Sequence, residues 1–218
     1  RFNEAQAKSQ AILNQKSSEA KSTTLTIPVV VHILHLGEAV GTGTNISNAQ
    51  IQSAIDNMND CFSGQAPYVT DIGIQFQLAS RDANCNASTG IVRVDASGTS
   101  NYATQGITDA NEETIKALSK WPNSEYYNIW IVSEIDDNDG GAGTQGYAYF
   151  PGASSDVDGA VVMHNSFGYD PTETLGYNLK NYTNRNVTAN HEIGHALDLY
   201  HTFQGDDGDL DGNPDQCP

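Results

Sequence analysis

The chain is short of positive charge. Ten Lys and Arg stand against 27 Asp and Glu in 218 residues, a formal net charge of −17. Such a field repels phosphate backbones and anionic lipid, which excludes nucleic acid and membrane surfaces as partners and favours cationic peptides and divalent metals. Long apolar runs are also missing. The longest, Ile27 to Leu36, is interrupted by Pro28, His32 and His35 and does not suit a membrane span. No basic start followed by an apolar core opens the chain, so any secretory leader is expected to have been removed. Cysteine is limited to Cys61, Cys85 and Cys217, without the close spacing of a thiolate metal site. An odd number leaves one unmatched: Cys61–Cys85 is a bridge the sequence allows, and a partner for Cys217 is expected beyond Pro218. Methionine occurs only at Met58 and Met163, and no Glu follows Glu192. What remains is 38% hydrophobic, enough for one core in a chain of this length and too apolar for a disordered one.

Apolar patterning divides the chain into strands and helices. Residues 1–22 are polar and form a peripheral lead-in, readable as the remnant of a propeptide. Thr24 to Leu36 is β-branched and continuous, as in a strand buried on both faces. Ser47 caps a helix whose apolar positions are Ile51, Ala54, Ile55, Met58 and Phe62. Ile72, Ile74, Phe76 and Leu78 alternate as one face of a strand, and Ile91–Val94 is a shorter one. A helix from Thr108 or Asp109 carries Ile115 and Leu118 and ends near Trp121-Pro122. Tyr127–Val132 and Ala160–His164 are buried strands. Between them, Gly146-Tyr-Ala-Tyr-Phe-Pro-Gly152 alternates small and aromatic residues and ends in Pro-Gly, which suits a sheet edge. A last helix starts at Asn184 or Asn186 and is drawn through Leu199. Strands interleaved with helices, without repeat or linker, predict an α/β or α+β domain with a mixed sheet.

The last helix contains His191-Glu192-Ile-Gly-His195. At 100° per residue the two imidazoles lie about 40° apart and one turn along, so both reach one ion. Zinc takes imidazole nitrogen readily, and three protein ligands leave it one open position. Glu192, about 100° round, is placed to accept a proton from a water held there. The composition yields H-E-x-x-H in less than about 1% of shuffles, so an ordinary helix with surface histidines is the poorer reading. His201 is the simplest third ligand, although an Asp of the 206–215 cluster would also serve. On an unbroken helix His201 would lie about 9 Å beyond His195 on another face. The backbone must therefore reverse between them, and Asp198 occupies the position where a left-handed residue is needed.

The run His191 to His201 resembles the metzincin pattern H-E-x-x-H-x-x-G-x-x-H, with Asp198 in place of its Gly. His-Thr-Phe after the zinc helix, Ile27-Pro-Val-Val-Val-His-Ile-Leu-His35 and Gly146–Gly152 are similar to the pappalysin (cytophagalysin) branch, so the likeness spans about residues 25–205. It implies a twisted mixed five-stranded sheet backed by helices, with a zinc-binding helix on the floor of a cleft. It also implies an edge strand, Gly146, Tyr147, Ala148 and Tyr149, that binds an extended peptide antiparallel. The implied activity is that of a secreted, extracellular endopeptidase: a zinc-bound water, deprotonated by Glu192, attacks the peptide bond of a protein substrate. Residues 23–205 would form the upper catalytic subdomain. Residues 206–218 would begin a lower one whose methionine turn this chain does not contain, since both methionines lie upstream. That segment could come from the same precursor.

Asp207, Asp209, Asp211 and Asp215 follow a D-x-D-x-D-G-x-x-D spacing that suits a hard cation, and the branch's use of structural calcium points the same way. The twelfth position from Asp207 is Pro218, not the Glu of an EF-hand. A rival class is therefore a calcium-stabilised binding or structural module with an incomplete, inactive peptidase site. His32 and His35 fall on opposite faces of the first strand and read, with His164, as structural histidines. N-x-S/T sequons stand at Asn45, Asn86, Asn181 and Asn186.

Overall fold

A computed structural model describes residues 24–65, 67, 70–138 and 143–201. The lead-in 1–22, the Asp207–Asp215 loop and Cys217 lie outside the described residues.

The organising element is β1 (Leu25–His35), whose Val29–Leu34 stretch is buried throughout. One of its edges holds two parallel strands in succession. β2 (Ile74–Leu78) pairs along Leu25–Val29 and β3 (Ile91–Asp95) along Val31–His35. The other edge pairs in parallel with β4 (Tyr127–Val132) from Val29 onward. Leu25 N–H bonds Gly73 O and Val31 N–H bonds Gly90 O, so odd residues address the β2–β3 edge. Pro28 faces the β4 side, where pairing has not yet begun, and its missing N–H leaves no ladder bond unmade. β6 (Ala160–Met163) joins β4 in parallel, and β5 (Gly146–Ala148) closes the sheet antiparallel to β6. The twisted mixed sheet is as expected but has six strands rather than five, set in five positions because β2 and β3 share one.

Helices cover both faces. α1 (Asn48–Phe62) starts at Ser47, whose side chain accepts the Gln50 N–H, and buries Ile51, Ala54, Ile55 and Met58. With α4 (Val187–Ala196) it packs on the face formed by Val29, Val31, Ile33, Ile129 and Ile131. The opposite face packs Leu34, Trp130, Val132 and Val161 against Tyr102 of α2 (Tyr102–Gln105) and Ile115 of α3 (Glu112–Ala117).

Several expectations need correction. Ile72 precedes β2 and is exposed, because the strand begins only where Ile74 meets Leu25. Leu118 caps a shorter helix and is also exposed. The four residues of α2 are too few to give a helical period. No Cys61–Cys85 bridge forms: Cys85 carries a free thiol in an exposed turn at φ 64, while the Cys61 sulfur meets Asn190 of α4. Of the four sequons, Asn45 and Asn186 are buried in the fold.

Candidate metal centre

The position of α4 is set from its N-cap. Asn186 is fully buried in the left-handed conformation, φ 57. Its Oδ1 accepts the Gly168 N–H at 3.1 Å and its Nδ2 donates to Ala54 O of α1 at 3.0 Å. One turn on, Asn190 donates to Asn57 of α1 at 3.0 Å. Ala189 and Ile193 enter the core, which turns His191 and His195 to the opposite side of the helix.

The helix stops at Ala196 rather than running to Leu199. Asp198 N–H bonds His195 O and Leu199 N–H bonds Gly194 O, both at 2.9 Å. These are the paired 5→2 and 6→1 bonds of a Schellman turn, and Asp198 sits at φ 67 where Gly is usual. The chain then folds back and delivers His201. The Nε2–Nε2 separations are 2.9 Å for His191–His201 and 3.1 Å for both His195–His191 and His195–His201. Among the described residues this is the one group of three or more metal-capable side chains with ligand atoms so close.

The triangle fits zinc. Four ligands at about 2.0–2.1 Å in tetrahedral array would stand roughly 3.3–3.4 Å apart, close to the edges observed. Protons do not account for it. Leu199 O lies 2.8 Å from His195 Nδ1 and can only accept, so Nδ1 carries a proton, and in the neutral tautomer that a metal takes Nε2 presents the lone pair. Two N–H groups aimed at that lone pair from His191 and His201 would collide with each other at 2.9 Å. Burial, then the neighbouring imidazoles His195 and His201, hold the His191 pKa below its usual range, which favours the neutral form a metal requires.

Glu192 lies beside the triad, 5% exposed. Burial pushes its carboxyl up to about 7. It lines a cavity of about 350 Å³ together with Gln145, Gly146, Val187, Thr188 and His191. Gly146 is small for a reason: a Cβ there would meet Thr188 Cγ2 and Val161 O at 2.9 Å and Glu192 Cγ at 3.2 Å.

The structure divides the predicted substrate strand by parity. Met163 N–H bonds Gln145 O and Tyr149 N–H bonds Gly159 O, so odd residues face β6. The N–H and C=O of Gly146 and Ala148 address the outer edge of the sheet. Tyr147 and Tyr149 instead turn their rings to the far face, where both hydroxyls bond Glu112. Phe150, which the sequence did not single out as a site residue, stacks on Tyr200 at 4.6 Å and lies 5.2 Å from the His195 ring. Its signal was parity with Gly146 and Ala148. The remaining histidines lie apart from the triad: His32 is buried against Asn128 and Trp130, His35 accepts from Gly37 N–H, and His164 meets Ser133 O.

The family model described as "Pregnancy-associated plasma protein-A", a peptidase family, matches residues 109–218. Among solved structures, mature mirolysin of Tannerella forsythia in complex with a cleaved peptide superposes with a TM-score of 0.67 at 30% identity, covering 85% of this chain and 67% of that one. An extracellular metalloprotease of Pyricularia oryzae is 29% identical over 91% of this chain and 59% of its own length. One from Neurospora crassa is 28% identical over 91% and 58%. The chain thus spans about three-fifths of the length of these curated relatives.

Proposed function

The chain belongs to the pappalysin family of metallopeptidases, and on that premise we propose that it is a secreted zinc endopeptidase that hydrolyses peptide bonds in protein substrates. The observation that carries the reading is the convergence of three Nε2 atoms within 3.1 Å of one another. His191, His195 and His201 would hold the zinc. When bound, zinc supplies Lewis-acid polarisation of a carbonyl and makes water more acidic.

The protein's own groups do the rest. The Glu192 carboxylate, walled from solvent, takes the proton of the attacking water and returns it to the leaving amine. Gly146 and Ala148 offer their backbone N–H and C=O to an extended substrate, which adds as a further antiparallel strand. Gly146, without a Cβ, lets the strand lie against Thr188 and Glu192 of α4, which brings its outer edge beside the Glu192 carboxylate. The cleaved peptide in the mirolysin complex supports a peptide substrate, and the extracellular relatives support secretion. Calcium at Asp207, Asp209, Asp211 and Asp215 is part of the proposal and rests on their spacing and on the family resemblance.

Metal analysis of the purified chain should return about one zinc per molecule. Glu192→Ala should keep that zinc and lose casein cleavage by roughly 10²–10⁴-fold. A zinc-free wild type, or cleavage unchanged in the variant, sinks the proposal.

A further inference from the structure

Behind the edge strand lies a charged group that the catalytic reading does not use. Lys116 is fully buried and Glu112 nearly so, 0% and 6% exposed. They pair at 2.7 Å one turn apart on α3. The Lys116 ammonium also donates to Val157 O and sits over the rings of Trp130, Tyr147 and Tyr149 at 4.7, 5.3 and 4.9 Å. Glu112 Oε1 accepts the Tyr147 hydroxyl at 2.8 Å and Oε2 accepts that of Tyr149 at 2.7 Å. Burial and the Glu112 charge push the Tyr147 phenol up, so it remains a donor. Farther along, Lys120 pairs with Asp156 at 2.8 Å and bonds Ser155 O at 3.1 Å, which ties the β5–β6 connection to the same segment.

β5 is only three residues long and, among the described residues, has a strand neighbour on one side only. A strand of that length is weakly specified by its own ladder, and a one-residue slip would exchange its two faces. The buried pair forbids the slip. It binds the two alternate tyrosines by hydroxyl and by ring, which fixes odd residues on the far face and leaves Gly146 and Ala148 toward the cleft. We propose that Glu112 and Lys116, acting through Tyr147 and Tyr149, are positioning residues that hold the register of the edge strand for substrate. The inference rests on the reading of β5 as the substrate strand.

The test uses Tyr147→Phe/Tyr149→Phe, which removes both hydroxyls and keeps the rings over Lys116. Tyr149→Phe alone serves if the double variant folds poorly. Amide hydrogen exchange is followed at Tyr147, Tyr149 and Met163, whose N–H groups lie between β5 and β6, with β4 as reference. Exchange at the three should rise at least tenfold while β4 and the zinc content stay unchanged. For a long peptide KM should rise five- to tenfold with kcat within twofold, and for a dipeptide-sized substrate neither should change. Unchanged exchange at the three amides overturns the proposal, as does an equal loss of kcat on long and short substrates. A wild-type chain that cleaves no peptide defeats the functional reading alone, because the exchange measurement still decides whether the pair holds the strand.

Discussion

Asp198 concentrates the metal centre's dependence on backbone conformation in one residue. At φ 67 it occupies a region that costs an ordinary L-residue about 1–2 kcal/mol and a β-branched one more. The turn it makes is what brings His201 to His191. Asp198→Gly should therefore fold and bind zinc at least as tightly as the wild type. Asp198→Val should lose at least tenfold in zinc affinity, read by competition with a chromogenic chelator; equal affinities for all three would show that the turn is not limiting. His32 makes a second prediction at this scale. Burial lowers its pKa from 6.5 to about 4, opposed by its hydrogen bond to Asn128. The unfolded chain thus binds a proton that the folded one refuses between those values. The contribution is intact above pH 6.5 and is lost as pH falls toward 4, by about 3 kcal/mol. The neighbouring cation is Lys116, which shares the Trp130 ring that His32 stacks on. His32→Gln, whose amide can still donate to Asn128, should flatten the urea-unfolding free energy across that window relative to wild type. Zinc release on acidification affects both proteins and cancels in the difference; parallel curves would rule His32 out.

At the scale of elements, the packing of β5 on α4 decides the width of the cleft. Gly146 lacks the Cβ that would press on Thr188 Cγ2 and Val161 O, both at 2.9 Å. Gly146→Ala must move the strand or the helix, and overpacking of this kind costs about 1–3 kcal/mol. Adding Thr188→Ser removes the methyl and leaves the carbonyl contact, so it should restore part of the loss. A double-mutant cycle on thermal unfolding reads the coupling, expected near 1 kcal/mol; strict additivity would mean that the two elements do not bear on each other. Elements of this kind were legible in the sequence in proportion to their periodicity. β1, α1 and β4 carry five or more patterned residues each, and their bounds differ from the sequence reading by little. The helix that carries the histidine triad was legible because two histidines one turn apart and the chain reversal toward His201 are local requirements. Glu112 and Lys116 were not. An acid and a base at i and i+4 read as a solvent-facing pair, and their burial depends on Trp130 and Tyr147 arriving from distant segments. The same holds for Cys61, whose neighbour Asn190 is 129 positions away.

For the molecule as a whole, net charge is the property that no single contact expresses. Twenty-seven acids against ten bases leave a formal net charge of −17, and ion pairs such as Lys116–Glu112 and Lys120–Asp156 cancel one charge of each sign and leave that total unchanged. On the proposed reading this field acts on the substrate before any contact forms. A cationic peptide is drawn toward the protein and a neutral one is not, and the attraction falls as the Debye length shrinks from about 30 Å at 0.01 M salt to about 8 Å at 0.15 M. Raising sodium chloride across that range should therefore lower kcat/KM for a lysine-rich peptide several-fold, chiefly through KM, and leave an uncharged peptide of the same length unchanged. Equal salt responses from the two peptides would confine recognition to the cleft, where the edge strand and Glu192 act at contact distance.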